Sequence, residues 1–268
     1  MISYLNYFKV RFIVNLQYRA AAIAGFVTQL FFGLVYIFMY LAFYESNPNS
    51  VLPMNWPELV TYIWLQQSFF GVLHPYYKDE ELLNMITNGN LAYELIRPQS
   101  IFIKFYIKTL STRVVSTLLR STPLLIVTFM LPENLRLGLP VSFNNFIIFV
   151  IAIILACLLV NSFCVIIHIL TMFTLDSKGT ISIYSVIYDV FSGGIVPLPF
   201  FPIWLKKIAG LLPFKLINDF PFRIYSGNLS IAEGMPLLIE TTIWIIISII
   251  IGIILSKIAL KKAVVQGG

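Results

Sequence analysis

Residues 144–172 read NNFIIFVIAIILACLLVNSFCVIIHILTM, twenty-nine positions without a single Asp, Glu, Lys or Arg. About 20 predominantly apolar residues cross a lipid bilayer as a helix, so this stretch predicts a membrane span. Working outward by the same rule predicts six spans, near 20–43, 57–74, 110–131, 144–172, 181–196 and 236–257. The composition agrees. Of the 268 residues, 59% are hydrophobic and 11% charged, with a mean hydropathy of +0.87. Soluble domains run near 45–50% apolar and about 25% charged, so an ordinary soluble protein is excluded. The expectation is an all-α polytopic membrane protein forming one domain over residues 1–268.

The formal charge is +6, and the placement of the cations explains it. With the N-terminus inside, the cytoplasmic sides collect Lys9, Arg11, Arg19, Lys78, Arg97, Lys104, Lys108, Lys178, Lys257, Lys261 and Lys262. The two short outer loops hold only Arg136, beside Glu45, Glu58 and Glu133. That asymmetry predicts both termini in the cytoplasm. The segment 197–235 runs against it with Lys206, Lys207, Lys215 and Arg223, but the rule is weakest for longer loops. The basic excess therefore reads as a topology signal with anionic lipid headgroups as its partner, not as a nucleic-acid surface. The first nineteen residues lack the short apolar region ending in small residues that marks a cleaved signal.

Three segments do not span. In 2–19, Arg11, Asn15 and Arg19 recur every four residues and form a polar stripe, which fits an interfacial helix; a plain extension of the first span fits as well. In 75–109, His74-Pro75 ends the second span, because proline disfavours helix at the residue before it. Asp79 can cap a new helix with Glu80 and Glu81 in its first turn, Leu82, Leu83 and Ile86 on its apolar side, and Gly89 closing it. Such a helix offers a grip to a partner's groove, or packs on its own bundle. Finally, 193–227 is apolar and aromatic but broken by Pro197, Pro199, Pro202, Pro213 and Pro221. Irregular backbone at membrane depth must be buried in protein or line a wet cavity. The reading is two short helices dipping into the outer leaflet, with Trp204 and Tyr225 at the interface, capping the bundle as an exit gate.

No phosphate-binding G-x-x-x-x-G-K-[ST] loop, G-x-S-x-G elbow, H-E-x-x-H or Cys/His cluster occurs. Catalytic, cofactor-binding and metal-ligating residues are therefore none, and the chain reads as no enzyme by itself. Cys157 and Cys164 share one helix face and cannot bridge. His168, one turn beyond Cys164, reads as a hydrogen-bonded helix residue rather than a ligand. Ionisable residues inside spans carry function by default. Arg113 and Arg120 lie on one face of the third span, Asp189 in the fifth and Glu240 near the outer end of the sixth. Arg120 and Asp189 fall at similar depth and are expected to pair; Glu240 is expected to reach the headgroups.

The blocks LQYRAAAIAGFVTQ (16–29), WLQQSFF (64–70), GNLAYELIRP (89–98) and FSGGIVPLPFFP with LLPF and IYSG (191–227) resemble the permease subunits of type-2 ABC exporters, the daunorubicin-type group. The resemblance covers essentially the whole length. It implies six spans, an N-terminal interfacial helix, cytoplasmic termini in a bacterial cell membrane, and re-entrant helices after the fifth span at 197–214. It makes residues 79–88, with Asp79, Glu80, Glu81, Leu82, Leu83 and Ile86, the coupling helix that docks on an ATPase. Two ABC ATPase subunits, holding ATP and Mg, and a second permease chain, identical or different, complete such a transporter. The first, second and fifth spans line its path, here with Gln29, Gln66, Gln67, Tyr184 and Tyr188, and an amphipathic or lipid-like cargo suits those walls. Pro197, Pro199, Phe200, Phe201 and Trp204 would form the outer gate. The alternative is a secondary transporter or channel uncoupled from ATP, for which a repeat between the two halves is expected, and none is found.

Overall fold

A computed structural model describes residues 2–15, 19–46, 48, 50–76, 80, 100–174 and 178–262. Among them are nine α-helices and no strand: α1 (Ile2–Asn15), α2 (Arg19–Ser46), α3 (Trp56–Leu73), α4 (Ile101–Phe129), α5 (Phe143–Thr174), α6 (Lys178–Phe191), α7 (Ile203–Leu211), α8 (Asp219–Ser226) and α9 (Ile231–Lys262). Single 3-10 turns at Leu198–Phe200 and Pro213–Leu216 flank α7. The chain is all-α, and each of the six expected spans falls on one of these helices. Three contain stretches long and apolar enough to cross a membrane by length and composition: Ile23–Ser46, Phe143–Phe173 and Ile231–Lys261. The others differ for visible reasons. α3 is long enough but carries Glu58, Gln66 and Gln67, α4 carries Lys104, Lys108, Arg113 and Arg120, and α6 has only 14 residues.

Several boundaries move. α4 begins nine residues before the expected start at 110, because nothing in 101–109 breaks a helix. α6 stops at Phe191 rather than 196, because Gly193 takes a left-handed φ of 82°. α9 starts at Ile231, five residues early. Its start is a capping box in which Ser230 Oγ accepts from the Glu233 N–H (3.3 Å) and the Glu233 carboxylate accepts from the Ser230 N–H (3.0 Å). The same device starts α3, where Asn55 and Glu58 cap each other and Pro57 sits in the first turn. Ser230→Ala is expected to cost about 1 kcal/mol, read as a lower midpoint of thermal unfolding of the full chain.

Helix α5 is the spine of the fold, packed along α9 and against α8, α4 and α3. Helix α4 carries α1, α2 and α3. The expected N-terminal helix exists as α1 and lies against α4, where Arg11 sits over the Tyr7 ring at 5.4 Å. Residues 16–18, which would decide between an interfacial helix and an extension of α2, lie outside the described residues. The core is centred on α3, whose Leu59 to Leu65 run is buried without interruption. A helix buried on nearly all sides needs small neighbours, and Gly33 of α2 supplies one: a Cβ there would run into the Trp64 ring.

Candidate functional site

Polar contacts gather at the last turn and along the middle of α3. At its last turn, helix geometry leaves carbonyls without intrahelical donors. Arg113 of α4, wholly buried, supplies them, with Nη1 donating to the Val72 carbonyl (3.0 Å) and the His74 carbonyl (2.7 Å). Tyr188 of α6 donates its hydroxyl to the Leu73 carbonyl. His74 Nδ1 donates to the Tyr76 carbonyl (2.7 Å), and His74 itself has left helical geometry (φ −55°, ψ 135°). Tyr76 then stacks on His168 of α5, ring centroids 4.9 Å apart, with its hydroxyl 3.2 Å from Nε2. His168 Nδ1 lies 2.8 Å from the Cys164 carbonyl, so Nδ1 must be the donor and Nε2 the acceptor. The segment Leu73–Tyr76 is thus held by three different helices just beyond the last turn of α3.

A second junction sits along the middle of α3, where the chain leaves α6. The Tyr62 hydroxyl donates to the Gly193 carbonyl (3.0 Å) and Gln66 Nε2 to the Gly194 carbonyl. From the other side, Asn218 donates to Ser192 Oγ (3.0 Å) and the Asp219 N–H to the Ser192 carbonyl (3.0 Å). The Asp219 carboxylate accepts from the Leu198 N–H (3.0 Å) and from Arg223 Nη1 (3.2 Å). Asp219 is 3% exposed, and burial raises its carboxyl above the usual range although Arg223 and the Leu198 N–H pull it back. Around this knot Phe200 packs its ring on Tyr40 (5.6 Å) and Phe43 (6.3 Å), so the proline-rich turn is tied to α2 as well.

This chain, all-helical among its described residues, ties polar knots at the middle and the last turn of one buried helix and carries no nucleotide loop in its sequence. The family model described as ABC-2 family transporter protein matches residues 29–267. The chain belongs to that family. No curated protein matches it. Membership makes this a multi-pass membrane transport subunit rather than a catalytic chain, of a kind that generally works with ABC ATPase subunits.

The ABC-2 chain places its other candidate residues as follows. Asp79, Glu81, Leu82, Leu83 and Ile86 lie outside the described residues; Glu80 is described, helical and exposed. Arg120 and Asp189 are not paired: the ion pairs among the described residues are Arg136–Glu133, Lys215–Glu240 and Arg223–Asp219. The reason is Gly25 of α2, against which the Arg120 side chain lies so closely that a Cβ would come 2.7 Å from Nε. The Asp189 carboxylate makes no ion pair among the described residues. Glu240 pairs with Lys215 at 3.1 Å rather than reaching outward. Gln66 and Tyr188 spend their polar groups across helices, whereas the buried Tyr184 hydroxyl finds no hydrogen-bond partner among the described residues. Gln29 and Gln67 are buried. Pro197 is buried, Pro199, Phe200 and Phe201 are partly buried, and Trp204 is 64% exposed. Tyr225, expected at the interface, is instead buried, packed on Phe149 and donating to the Gly138 carbonyl at 3.2 Å.

Proposed function

We propose that the chain is the membrane-spanning subunit of an ATP-driven exporter in a bacterial cytoplasmic membrane, a single domain with six spans and both termini inside. α2, α3, α4, α5, α6 and α9 are the spans, and residues 79–88 form the helix that docks on a separate ATPase chain holding ATP and Mg. Two ATPase subunits and a second permease chain, the same or different, complete the transporter. Its cargo is amphipathic or lipid-like, moved from the cytoplasm or inner leaflet along walls that include Gln29, Gln67 and Tyr184, whose hydroxyl has no hydrogen-bond partner among the described residues.

The observation that carries this reading is the grip on Leu73–Tyr76. A loop fastened at its root to α4, α5 and α6 transmits a push as a rigid-body tilt of several helices, and a slack loop absorbs it. Switching between two packings of rigid elements is how such movement crosses a membrane. The α6–α7 turn, with Pro197, Pro199, Phe200, Phe201 and Trp204, is the outer gate, and its ties to α2 and α3 let it follow them.

Leu82→Asp combined with Ile86→Asp tests the docking helix. The double variant is expected to lose at least tenfold of the ATPase that co-purifies with the wild-type chain, with the permease itself still inserted. ATPase recovered in full from the double variant defeats the assignment of 79–88.

A further inference from the structure

The recess between α7 and α8 encloses about 430 Å³ and is walled by Lys206, Lys215, Arg223 and Asp219, with Leu198 and Gly210 beside them. It lies by the N-terminal end of α3, since Pro53 lines it and Asn228 ties its rim to the Pro53 carbonyl and to Glu58. Lys215 is taken up by Glu240 at 3.1 Å and by the Gly210 carbonyl at 2.7 Å. Arg223 is matched in charge by Asp219, with Nε on Asn228 at 2.8 Å, which leaves Nη2 without a hydrogen bond among the described residues. Lys206 has neither ion pair nor hydrogen bond among the described residues. Glu58 is occupied by the α3 cap and by Asn228. One positive charge and one guanidinium N–H pair stand open.

Helix α7 adds a second, independent feature. Lys206 and Gly210 share the flank that faces the recess. Ile203, Trp204, Ile208 and Leu211, with the exposed Lys207 among them, cover the neighbouring face, and the four apolar side chains are 75%, 64%, 42% and 81% exposed. An apolar face with a Trp beside a basic flank is the pattern of a helix lying at a lipid headgroup boundary. We propose that the recess holds the phosphodiester headgroup of an anionic lipid of the outer leaflet, with its acyl chains along Ile203, Trp204, Ile208 and Leu211. A phosphodiester carries one negative charge and presents two free oxygens, which match the one open lysine and the open edge of Arg223. Outer-leaflet placement rests on the proposed topology. Two of the four cations that run against the positive-inside pattern at 197–235, Lys206 and Arg223, thereby acquire a use.

The test titrates the purified full chain, in uncharged detergent, with short-chain phosphatidylglycerol, phosphatidylcholine and inorganic phosphate. Phosphatidylglycerol is expected to bind at least tenfold more tightly than phosphatidylcholine. Lys206→Glu should erase that preference, while Lys206→Arg and Lys207→Glu keep it. Equal affinity for both lipids, or a preference that survives Lys206→Glu, overturns the recess as a headgroup site. Inorganic phosphate binding as tightly as phosphatidylglycerol overturns the lipid and assigns a soluble anion. Lys207→Cys labelled in intact cells by a membrane-impermeant maleimide checks the topology separately. Labelling with no lipid preference removes the recess alone, whereas protection from the outside removes the orientation and the outer-leaflet assignment with it.

Discussion

Arg113→Leu is expected to lower ATP-driven conformational change about a hundredfold while the ATPase still co-purifies; a hundredfold corresponds to about 2.7 kcal/mol of lost coupling. The substitution leaves the Val72 and His74 carbonyls without donors in a buried place. Hydrogen bonds from a charged donor contribute about 1.5–3 kcal/mol each, so losing two loosens the last turn of α3 decisively. Removing a buried guanidinium also removes its desolvation cost, which limits the loss of overall stability. Coupling should therefore suffer more than folding. The readout needs no knowledge of the cargo: Trp204→Cys is labelled from outside with and without ATP, the native Cys157 and Cys164 being buried. Arg113→Lys keeps the charge but reaches fewer carbonyls, and should fall between the two. Wild-type ATP dependence in Arg113→Leu would show that the grip on Leu73–Tyr76 transmits nothing.

What the sequence disclosed and what it hid divide along range of contact. The end of α3 at His74-Pro75 and the break after α6 at Gly193 are local properties of backbone, and both were readable. So was the all-helical class, since residues 144–172 admit no other solvent than lipid. Arg113 was visible as a charge inside a span, but its partners are carbonyls 41 and 39 residues away, and carbonyls leave no mark in a sequence. The expected Arg120–Asp189 pair failed for a related reason. Spacing along two helices says nothing of what lies beside each side chain, and Arg120 lies against Gly25. Tyr225 was assigned to the interface by its chemistry, when the Gly138 carbonyl 87 residues away had claimed its hydroxyl. Asp219 carried one readable signal, its four-residue spacing from Arg223. Its bond to the Leu198 N–H did not.

That bond sets the second large effect. Asp219→Ala is expected to destabilise the full chain by about 2–4 kcal/mol, because a buried N–H loses its acceptor and Arg223 loses its counter-charge. The two losses separate in a double-mutant cycle with Arg223→Ala. Arg223 is 24% exposed, so the ion pair itself should account for no more than about 1 kcal/mol of coupling. The larger share belongs to the Leu198 N–H and should persist in the double variant. Asp219→Asn, which keeps an acceptor for that N–H, should therefore retain most of the stability. Its pH dependence carries a sign. Burial raises the Asp219 carboxyl above its unfolded value, so the contribution of the protonated form is fully present below the usual carboxylate range and is lost as pH rises through the raised pKa. The stability of the wild type relative to Asp219→Asn should fall as pH rises across that window, measured as the difference in unfolding midpoints. A difference that instead grows with pH would mean that Arg223 outweighs burial, and that the knot at the α6–α7 turn is held by charge rather than by the buried N–H.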